Sequence, residues 1–225
     1  MTRPTPPLCE QALLDSAYQL AGLTFRELAL RADLTPPTDL VHAKGWLGQT
    51  LELLLGATAG SAPLPDFVEL GIELKTLPLD FFGKPMETTY LCIAPIPYPH
   101  TSFEESLVYQ KIQKILWFPY LAAKELAPFQ KKLGTPLLWS PSPEIWDTLK
   151  KDWEEITERI RLGHFEKLSA HLGTYLQIRP KAANAKTFSY VFNHEGERVA
   201  IVPKGFYLRT QLTAQICQNY YAIFS

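Results

Sequence analysis

The spacing of hydrophobic residues changes after residue 55, and this change restricts the possible folds more than any other feature of the sequence. Before it, helical spacing predicts three helices, over residues 7–20, 25–33 and 45–55. Thr24 and Glu27 have the spacing of a capping box that opens the second helix. After the change, alternating and β-branched residues predict strands. Helices followed by strands predict the α/β class, of the α+β kind with a mixed sheet.

The predicted strands begin in the segment FVELGIELKTLPL, residues 67–79. Leu70, Ile72 and Leu74 alternate with other residues, so we expect one face of this strand to be buried and the other exposed. A second strand is predicted over residues 88–96, after a polar turn at 83–85, and two successive strands favour a hairpin or a meander. Residues 110–121, after a helical turn, and residues 136–142 are candidates for further strands.

The most clearly marked helix begins with Ser142 as its N-cap and Pro143 at its first position, and it ends before Gly163. Its apolar residues alternate at spacings of three and four, which predicts one stripe packed against the core. The stripe consists of Trp146, Leu149, Trp153, Ile156 and Ile160. From residue 174 onward, strands and loops are predicted, followed by a terminal helix near residues 212–223.

Charge and cysteine content narrow the class of protein. The chain has no apolar run of roughly 18 residues and no signal-peptide core at its start, so we expect a cytoplasmic protein. Its three cysteines are widely spaced, and neither a disulfide framework nor a zinc site is expected. The net charge is −1, but residues 171–225 hold six cations and two anions. This basic part suits phosphate binding, although a modest excess of cations usually reflects only charged side chains on a solvated surface.

The segment PDFVELGIELK, residues 65–75, carries the residues most typical of a catalytic site. Glu73 and Lys75 are two residues apart, so a strand presents both side chains on one face. Asp66 lies upstream, after a proline-containing loop from which its carboxylate can turn toward Glu73. Two converging carboxylates repel each other, and a divalent cation bound to their oxygens relieves that repulsion. Mg²⁺ is the expected ion because it prefers oxygen ligands.

Hydrolysis of a phosphodiester needs an activated water, stabilisation of charge on the phosphoryl oxygens and screening of the leaving oxygen. One or two Mg²⁺ ions on Asp66 and Glu73 would meet the first and last needs, and Lys75 can orient the water or neutralise the developing charge. Glu52, a charge within the apolar run LELLLGA, is the candidate for a third metal-binding carboxylate. Taken alone, these spacings are more commonly explained by an exposed strand face and a solvated helix face.

Seven segments of the chain together resemble the MutH family, which lies within the restriction-endonuclease-like PD-(D/E)xK nucleases. They occur in the order and at the spacing of the family, and they extend over nearly the whole chain. The segments are KGWLG (44–48), LELLLGATAGS (51–61), PDFVELGIELKTLPLD (65–80), ETTYLCIAP (87–95), PLLWSP (136–141), YLQIRPKAANAK (175–186) and PKGFYLRT (203–210).

The resemblance implies that Asp66, Glu73 and Lys75 are catalytic and that Glu52 joins the metal site. It also implies contacts with DNA for residues that spacing alone does not identify. Tyr90 stands where the family often has phenylalanine. The implied DNA-binding residues are Lys44 and Gly45 beside the active site, Lys111 near the scissile phosphate, Arg179, Pro180 and Lys181 in the loop that reads GATC, and Tyr207 as the sensor of adenine methylation.

The implied function is nicking of the unmethylated strand at hemimethylated GATC sites in DNA mismatch repair. The resemblance implies one endonuclease domain over residues 1–225, with a restriction-endonuclease-like core and two lobes around a DNA-binding cleft. It further implies a Mg²⁺-dependent monomer, activated by ATP-bound MutL that mismatch-bound MutS recruits. Two alternatives stay open: a GATC restriction endonuclease that cuts both strands, and a non-catalytic DNA-binding module. A single set of metal-binding residues favours nicking, since each strand needs its own site.

Overall fold

The computed structural model describes residues 4–36, 40–123, 125–181 and 188–221, and of residues 40–44 only the backbone. The chain divides into two compact units. Unit 1 comprises Met1–Glu87, Lys111–Ser140 and Ala214–Ser225, and unit 2 comprises Thr88–Gln110 and Pro141–Thr213. Within the described ranges, no helix is both long and apolar enough to cross a membrane.

Helices form the N-terminal part of the chain and strands begin at residue 73, as the hydrophobic spacing predicts. The helices are α1 (Glu10–Tyr18), α2 (Phe25–Ala32), α3 (Leu40–Leu55), α4 (Leu107–Ile112), α5 (Pro143–Arg161) and α6 (Thr210–Tyr221). The strands are β1 (Glu73–Leu79), β2 (Thr89–Ala94), β3 (Ile115–Leu121), β4 (Leu137–Trp139), β5 (Leu176–Pro180), β6 (Ser189–Phe192), β7 (Arg198–Ile201) and β8 (Lys204–Leu208). The terminal helix is thereby confirmed, although the end of its predicted range lies outside the described residues.

Unit 1 contains a mixed sheet of order β1-β3-β4, in which β3 is parallel to β1 and antiparallel to β4. The N-terminal helices share one hydrophobic core with this sheet, and Phe25, Leu51 and Phe118 within it are fully buried. The predicted capping box of α2 is present, because Thr24 and Glu27 each accept a hydrogen bond from the other's backbone N–H. The predicted α/β fold with a mixed sheet is therefore confirmed.

Three predictions about the first strand are wrong. β1 pairs with β3 and β2 pairs with β8, so the two consecutive strands belong to different sheets instead of forming a hairpin. The strand also begins only at Glu73, because Val68–Leu70 is a 3-10 turn. Both faces of β1 are covered, since Leu74 is 4% exposed on one face and Leu77 is 1% exposed on the other. Strands in parallel pairs are commonly buried on both faces, so the predicted difference in exposure between the two faces of β1 is absent.

Unit 2 contains an antiparallel sheet of order β2-β8-β5, a separate hairpin of β6 and β7, and the long helix α5. The start of α5 is as predicted, with Ser142 Oγ accepting a hydrogen bond from Ile145 N–H and Pro143 at the first position. Trp146 is only half-buried. The rest of the predicted stripe is buried, namely Leu149, Trp153, Ile156 and Ile160.

Candidate active site

Glu73, at the first position of β1, is a buried carboxylate that binds two ammonium groups. Its side chain is 1% exposed. Lys75 Nζ lies 2.5 Å from Glu73 Oε1, and Lys111 Nζ lies 2.8 Å from each of the two carboxylate oxygens. Both lysine side chains are largely buried as well. The three charges therefore interact in surroundings where water screens them weakly.

The parallel pairing of β1 and β3 explains how Lys111 reaches this carboxylate. Glu73 N–H donates a hydrogen bond to Lys114 O at 3.0 Å, immediately before the paired strands begin. Helix α4 ends at Ile112, so Lys111 lies on the last turn of the helix that leads into β3. Its Nζ also donates to Leu64 O at 3.1 Å. A lysine that the family resemblance placed near the scissile phosphate is thus brought against Glu73 by strand pairing.

Asp66 reaches the start of β1 because the chain between them turns back. The 3-10 turn Val68–Leu70 is followed by Gly71 with a φ of 62°, a left-handed conformation that favours glycine. After this turn, Asp66 Oδ2 accepts a hydrogen bond from Leu74 N–H at 2.8 Å. The carboxylate is therefore anchored beside Glu73, through a turn where the sequence predicted extended chain.

Five charged groups of unit 1 influence one another. Burial, followed by the charge of Asp66, raises the pKa of Glu52 above its ordinary value of 4.5. Burial, followed by the charge of Glu73, raises the pKa of Asp66 above 3.8. Lys75 and Lys111 act in the opposite direction on both carboxyl groups. Burial and repulsion between carboxylates thus outweigh the attraction of the two lysines.

We expect Glu52→Gln to raise the thermal stability of the metal-free protein at neutral pH. Because the folded-state pKa of Glu52 is raised, the folded protein binds more protons than the unfolded chain at a pH between the two values. Stability therefore falls as the pH rises from 4.5 through the folded pKa, and the penalty is complete above it. Glutamine does not ionise and removes the penalty. The check is Tm in EDTA over a series of pH values.

The gain in Tm should shrink as the pH falls toward 4.5, where the carboxyl group of the wild type becomes protonated in both states. Glu69→Gln is the matched control, because Glu69 is exposed and lies in the turn before β1. A Glu52→Gln variant that is less stable than wild type at neutral pH would contradict the repulsion described for this site.

The donor set of this site fits a divalent cation with oxygen ligands. Glu52, Asp66 and Glu73 supply carboxylate oxygens, the ligands that Mg²⁺ prefers. The raised pKa values of Glu52 and Asp66 show that holding both in the charged form is unfavourable in the protein alone. A bound cation would relieve this cost, so the predicted metal ligands are compatible with the structure, and their role stays a prediction.

A second group of predicted residues lies in unit 2, on the sheet β2-β8-β5. Tyr207 and Tyr90 are opposite each other on β8 and β2, with ring centroids 5.3 Å apart. The guanidinium carbon of Arg179 lies 5.8 Å from the centre of the Tyr207 ring, and Arg179 donates a hydrogen bond to the Thr88 hydroxyl at 2.9 Å. Lys181 Nζ lies 4.4 Å from the centre of the Tyr90 ring. Two exposed cations thus lie against a pair of aromatic rings.

Gly205, on β8, shapes this group and was missed by the sequence analysis. A Cβ at this position would lie 2.9 Å from a ring carbon of Tyr90 and 3.0 Å from the carbonyl oxygen of Cys92. Such a contact would force the ring to move, so the absence of a side chain gives Tyr90 its place. A glycine inside a strand often marks the close approach of another group, and this pattern could have identified Gly205 from the sequence.

The remaining predicted DNA-binding residues are less informative. Gly45 lies in α3, is exposed, and has open space where a Cβ would be. Lys44 precedes it in the same helix, but its side chain lies outside the described residues. Pro180 is the exposed last residue of β5. The assignment of these three residues to DNA contacts stays a prediction.

Comparison with known proteins gives a consistent result. The family model described as "DNA mismatch repair enzyme MutH" matches residues 55–152. A DNA mismatch repair protein MutH from Vibrio cholerae serotype O1 (strain M66-2) is 50% identical over 217 residues, covering 96% of this chain and 98% of that protein. The protein of the same name from Vibrio vulnificus (strain YJ016) is 49% identical over 214 residues, covering 95% and 94%. One from Escherichia coli O139:H28 is 44% identical over 220 residues, covering 97% and 96%.

Proposed function

The chain belongs to the MutH family of DNA mismatch repair enzymes, and from that premise we propose that it nicks the unmethylated strand of duplex DNA at hemimethylated GATC sites. The observation that carries the proposal is the arrangement around Glu73. This buried carboxylate binds Lys75 and Lys111 and acts electrostatically on two further carboxyl groups whose pKa values are raised. Clustered carboxylates and ammonium groups of this kind are what metal-dependent hydrolysis of a phosphodiester requires.

Mg²⁺ is the proposed cofactor, as one or two ions held by Asp66, Glu73 and Glu52. When bound, it would lower the pKa of a water molecule and neutralise negative charge on the phosphate. The raised pKa values of Glu52 and Asp66 support this assignment, because a cation among the carboxylates favours their charged forms. A lysine is the other group that could neutralise these carboxylates. Lys75 and Lys111 already bind Glu73, and the pKa values of Glu52 and Asp66 stay raised in their presence.

The two lysines are proposed to act on the substrate. Lys75 orients the attacking water, and Lys111 neutralises charge at the scissile phosphate. Their ammonium groups both contact the same Glu73 carboxylate, so an incoming phosphate meets two positive charges held close together. Because both side chains are largely buried, each charge stabilises the developing oxyanion more strongly than it would in open water.

Arg179, Lys181 and Tyr207 are proposed to read the GATC sequence and its methylation. Arginine and lysine commonly donate hydrogen bonds to guanine acceptors in the major groove, and an aromatic ring can pack against or exclude an adenine methyl group. The contacts of Arg179 with Tyr207 and of Lys181 with Tyr90 support this role, because they orient exposed cations before DNA arrives. The basic C-terminal quarter of the sequence adds charge of the appropriate sign.

The proposed setting is a monomer in the cytoplasm that is activated by ATP-bound MutL, with MutS acting upstream through the mismatch. The relatives are named as DNA mismatch repair proteins, which supports participation in the same process. Activation by a partner implies slow cutting by the isolated chain, so assays should be made with and without MutL and ATP.

We expect Mg²⁺-dependent nicking when the purified protein is incubated with a supercoiled plasmid that carries GATC sites. Unmethylated and hemimethylated plasmids should be converted to the open-circular form, and fully methylated plasmid should be spared. EDTA should stop the reaction, and Glu73→Ala should abolish it, because this change removes the carboxylate that holds both lysines and the proposed metal. Gel electrophoresis of the plasmid forms measures the result.

Glu69→Ala is the matched control for this experiment, since it removes an exposed glutamate four residues away. Its nicking rate should equal that of the wild type. Linear plasmid arising by paired cuts at GATC would favour a restriction endonuclease. Binding of GATC DNA without cleavage, even with MutL and ATP present, would replace the proposal with a non-catalytic DNA-binding module.

A further inference from the structure

Three potential metal ligands lie together in unit 2, and none of them belongs to the sites described above. His164 follows the end of α5, Glu166 lies in the 3-10 turn Phe165–Lys167, and His194 lies in the turn between β6 and β7. One ligand atom of each residue can be chosen so that all three lie within 4.8 Å of one another. The two imidazole centroids are 4.4 Å apart. The folded chain thus gathers two imidazoles and a carboxylate in one place.

The backbone holds this group in position. His194 N–H donates a hydrogen bond to Gly163 O at 3.3 Å, and His164 N–H donates to Arg159 O at 2.9 Å. Gly163 has a φ of 75°, and a Cβ there would lie only 2.6 Å from the backbone nitrogen of His194. A glycine is therefore required for the hairpin turn to approach the end of α5 this closely.

The imidazole of His164 contains a buried nitrogen that lacks a hydrogen bond within the described part of the chain. Its Nδ1 atom is fully buried and has no hydrogen-bond partner among the described residues. Glu166 Oε1 lies 3.6 Å from this atom, and His194 Nε2 lies 3.9 Å from Glu195 Oε1. Both distances exceed those of hydrogen bonds. A buried polar atom without a partner costs about 1–3 kcal/mol, and a metal ion bound at Nδ1 would remove this cost.

We propose that His164, His194 and Glu166 form a Zn²⁺ site, with a water molecule as the fourth ligand. Zinc binds two imidazoles and a carboxylate readily, whereas Mg²⁺ prefers oxygen ligands. Zn–N and Zn–O bonds of about 2.0–2.2 Å place tetrahedral ligand atoms about 3.3 Å apart. The present separations are up to 4.8 Å, so metal binding would require the exposed Glu166 and His194 side chains to rotate toward the half-buried His164.

The ion would fasten the β6–β7 hairpin to the end of α5. A two-stranded hairpin is at best marginally stable by itself. Two of the four residues of β6 are aromatic residues with exposed side chains, Tyr190 at 64% and Phe192 at 69%. A metal bound by residues on both sides of this junction adds its binding free energy to the stability of the docked hairpin. The proposed role of the ion is therefore to stabilise the docked hairpin, and its site is separate in chemistry from the carboxylate cluster around Glu73.

The test is metal binding by the full-length protein after removal of metals with EDTA and dialysis. Co²⁺ serves as a spectroscopic probe, and Zn²⁺ affinity is measured by competition with a chromophoric chelator. We expect one equivalent of Co²⁺ with the visible absorption of a tetrahedral nitrogen and oxygen site, displaced by Zn²⁺. His194→Gln should weaken Zn²⁺ binding by at least about tenfold, because loss even of groups that support a ligand costs 10–100-fold. Zn²⁺ should raise the Tm of the wild type more than that of His194→Gln.

The exposed His171 of the same unit provides the matched control, and His171→Gln should bind Zn²⁺ as the wild type does. Glu166→Gln, at an exposed carboxylate, tests the site without disturbing the hairpin, and it should also weaken binding. The proposal fails if the wild type takes up no stoichiometric metal, or if His194→Gln and Glu166→Gln bind it unchanged. A sulfur-to-cobalt charge-transfer band would assign the metal to the exposed Cys9 and overturn the proposal as well.

Discussion

Asp66→Asn is expected to lower the rate of GATC nicking by about 10²–10³-fold while the protein stays folded, a loss of the size seen when one group that stabilises the transition state is removed. Asparagine has nearly the same shape as aspartate, and its oxygen can still accept the hydrogen bond from Leu74 N–H. What it lacks is the charge that a metal ion needs. The measurement is the initial rate on hemimethylated plasmid at saturating Mg²⁺.

Asp80→Asn is the matched control, because Asp80 directly follows β1 and accepts hydrogen bonds from Phe82 N–H and Lys84 N–H at 2.9 Å each. This aspartate also binds backbone amides, but it lies at the opposite end of the strand from Glu73. Its variant should nick at the wild-type rate. If Asp66→Asn kept more than about a tenth of the activity, Asp66 would be a structural residue rather than a metal ligand, because 10²–10³-fold losses accompany removal of a transition-state group.

Asp152→Ala is expected to lower the free energy of unfolding by about 3–5 kcal/mol, since several buried donors would lose their acceptor at about 1–3 kcal/mol each. The side chain of Asp152, on α5, accepts hydrogen bonds from three consecutive backbone N–H groups at 2.8, 2.6 and 2.8 Å. The donors are Thr174, Tyr175 and Leu176. Only 5% of Asp152 is exposed, so water cannot replace the carboxylate without rearrangement.

Urea unfolding followed by circular dichroism measures this change, and Asp147→Ala is its control. Asp147 lies on the exposed face of the same helix, so its replacement should lower the free energy of unfolding much less. The free energy of unfolding of Asp152→Asn should lie between those of Asp152→Ala and the wild type, because an amide oxygen can accept some of the hydrogen bonds. A loss below about 1 kcal/mol for Asp152→Ala would mean that the three N–H groups find other acceptors. Since β5 begins at Leu176, the same variant should also weaken DNA binding through Arg179.

Predictions that rested on neighbouring residues were confirmed. The capping box of Thr24 and Glu27 and the Ser142-Pro143 start of α5 are satisfied within one turn of helix, so no distant contact is needed to decide them. The placement of Glu73 and Lys75 side by side follows in the same way from the period of a strand.

Predictions that depended on which segments pair were less successful. The prediction of a hairpin over residues 67–96 was wrong because proximity in sequence favours pairing of consecutive strands, whereas the buried strand β1 pairs in parallel with β3. The turn at Val68–Leu70 was missed because its residues also fit an alternating strand. The segment proposed to be catalytic, residues 65–75, was identified in spite of these errors, since its residues keep their order in either structure.

The sequence by itself determined the starts of α2 and α5, the family and the residues proposed for catalysis, because capping motifs and the segments shared with the family are read directly along the chain. Only the tertiary structure decided that Glu73 is 1% exposed and shared by two lysines, one of them 38 positions away. It alone brought His164 and His194 together, where widely spaced residues gave no sign of a zinc site. Such contacts depend on the packing of whole strands and helices, where many weak interactions are summed and no short segment carries the information.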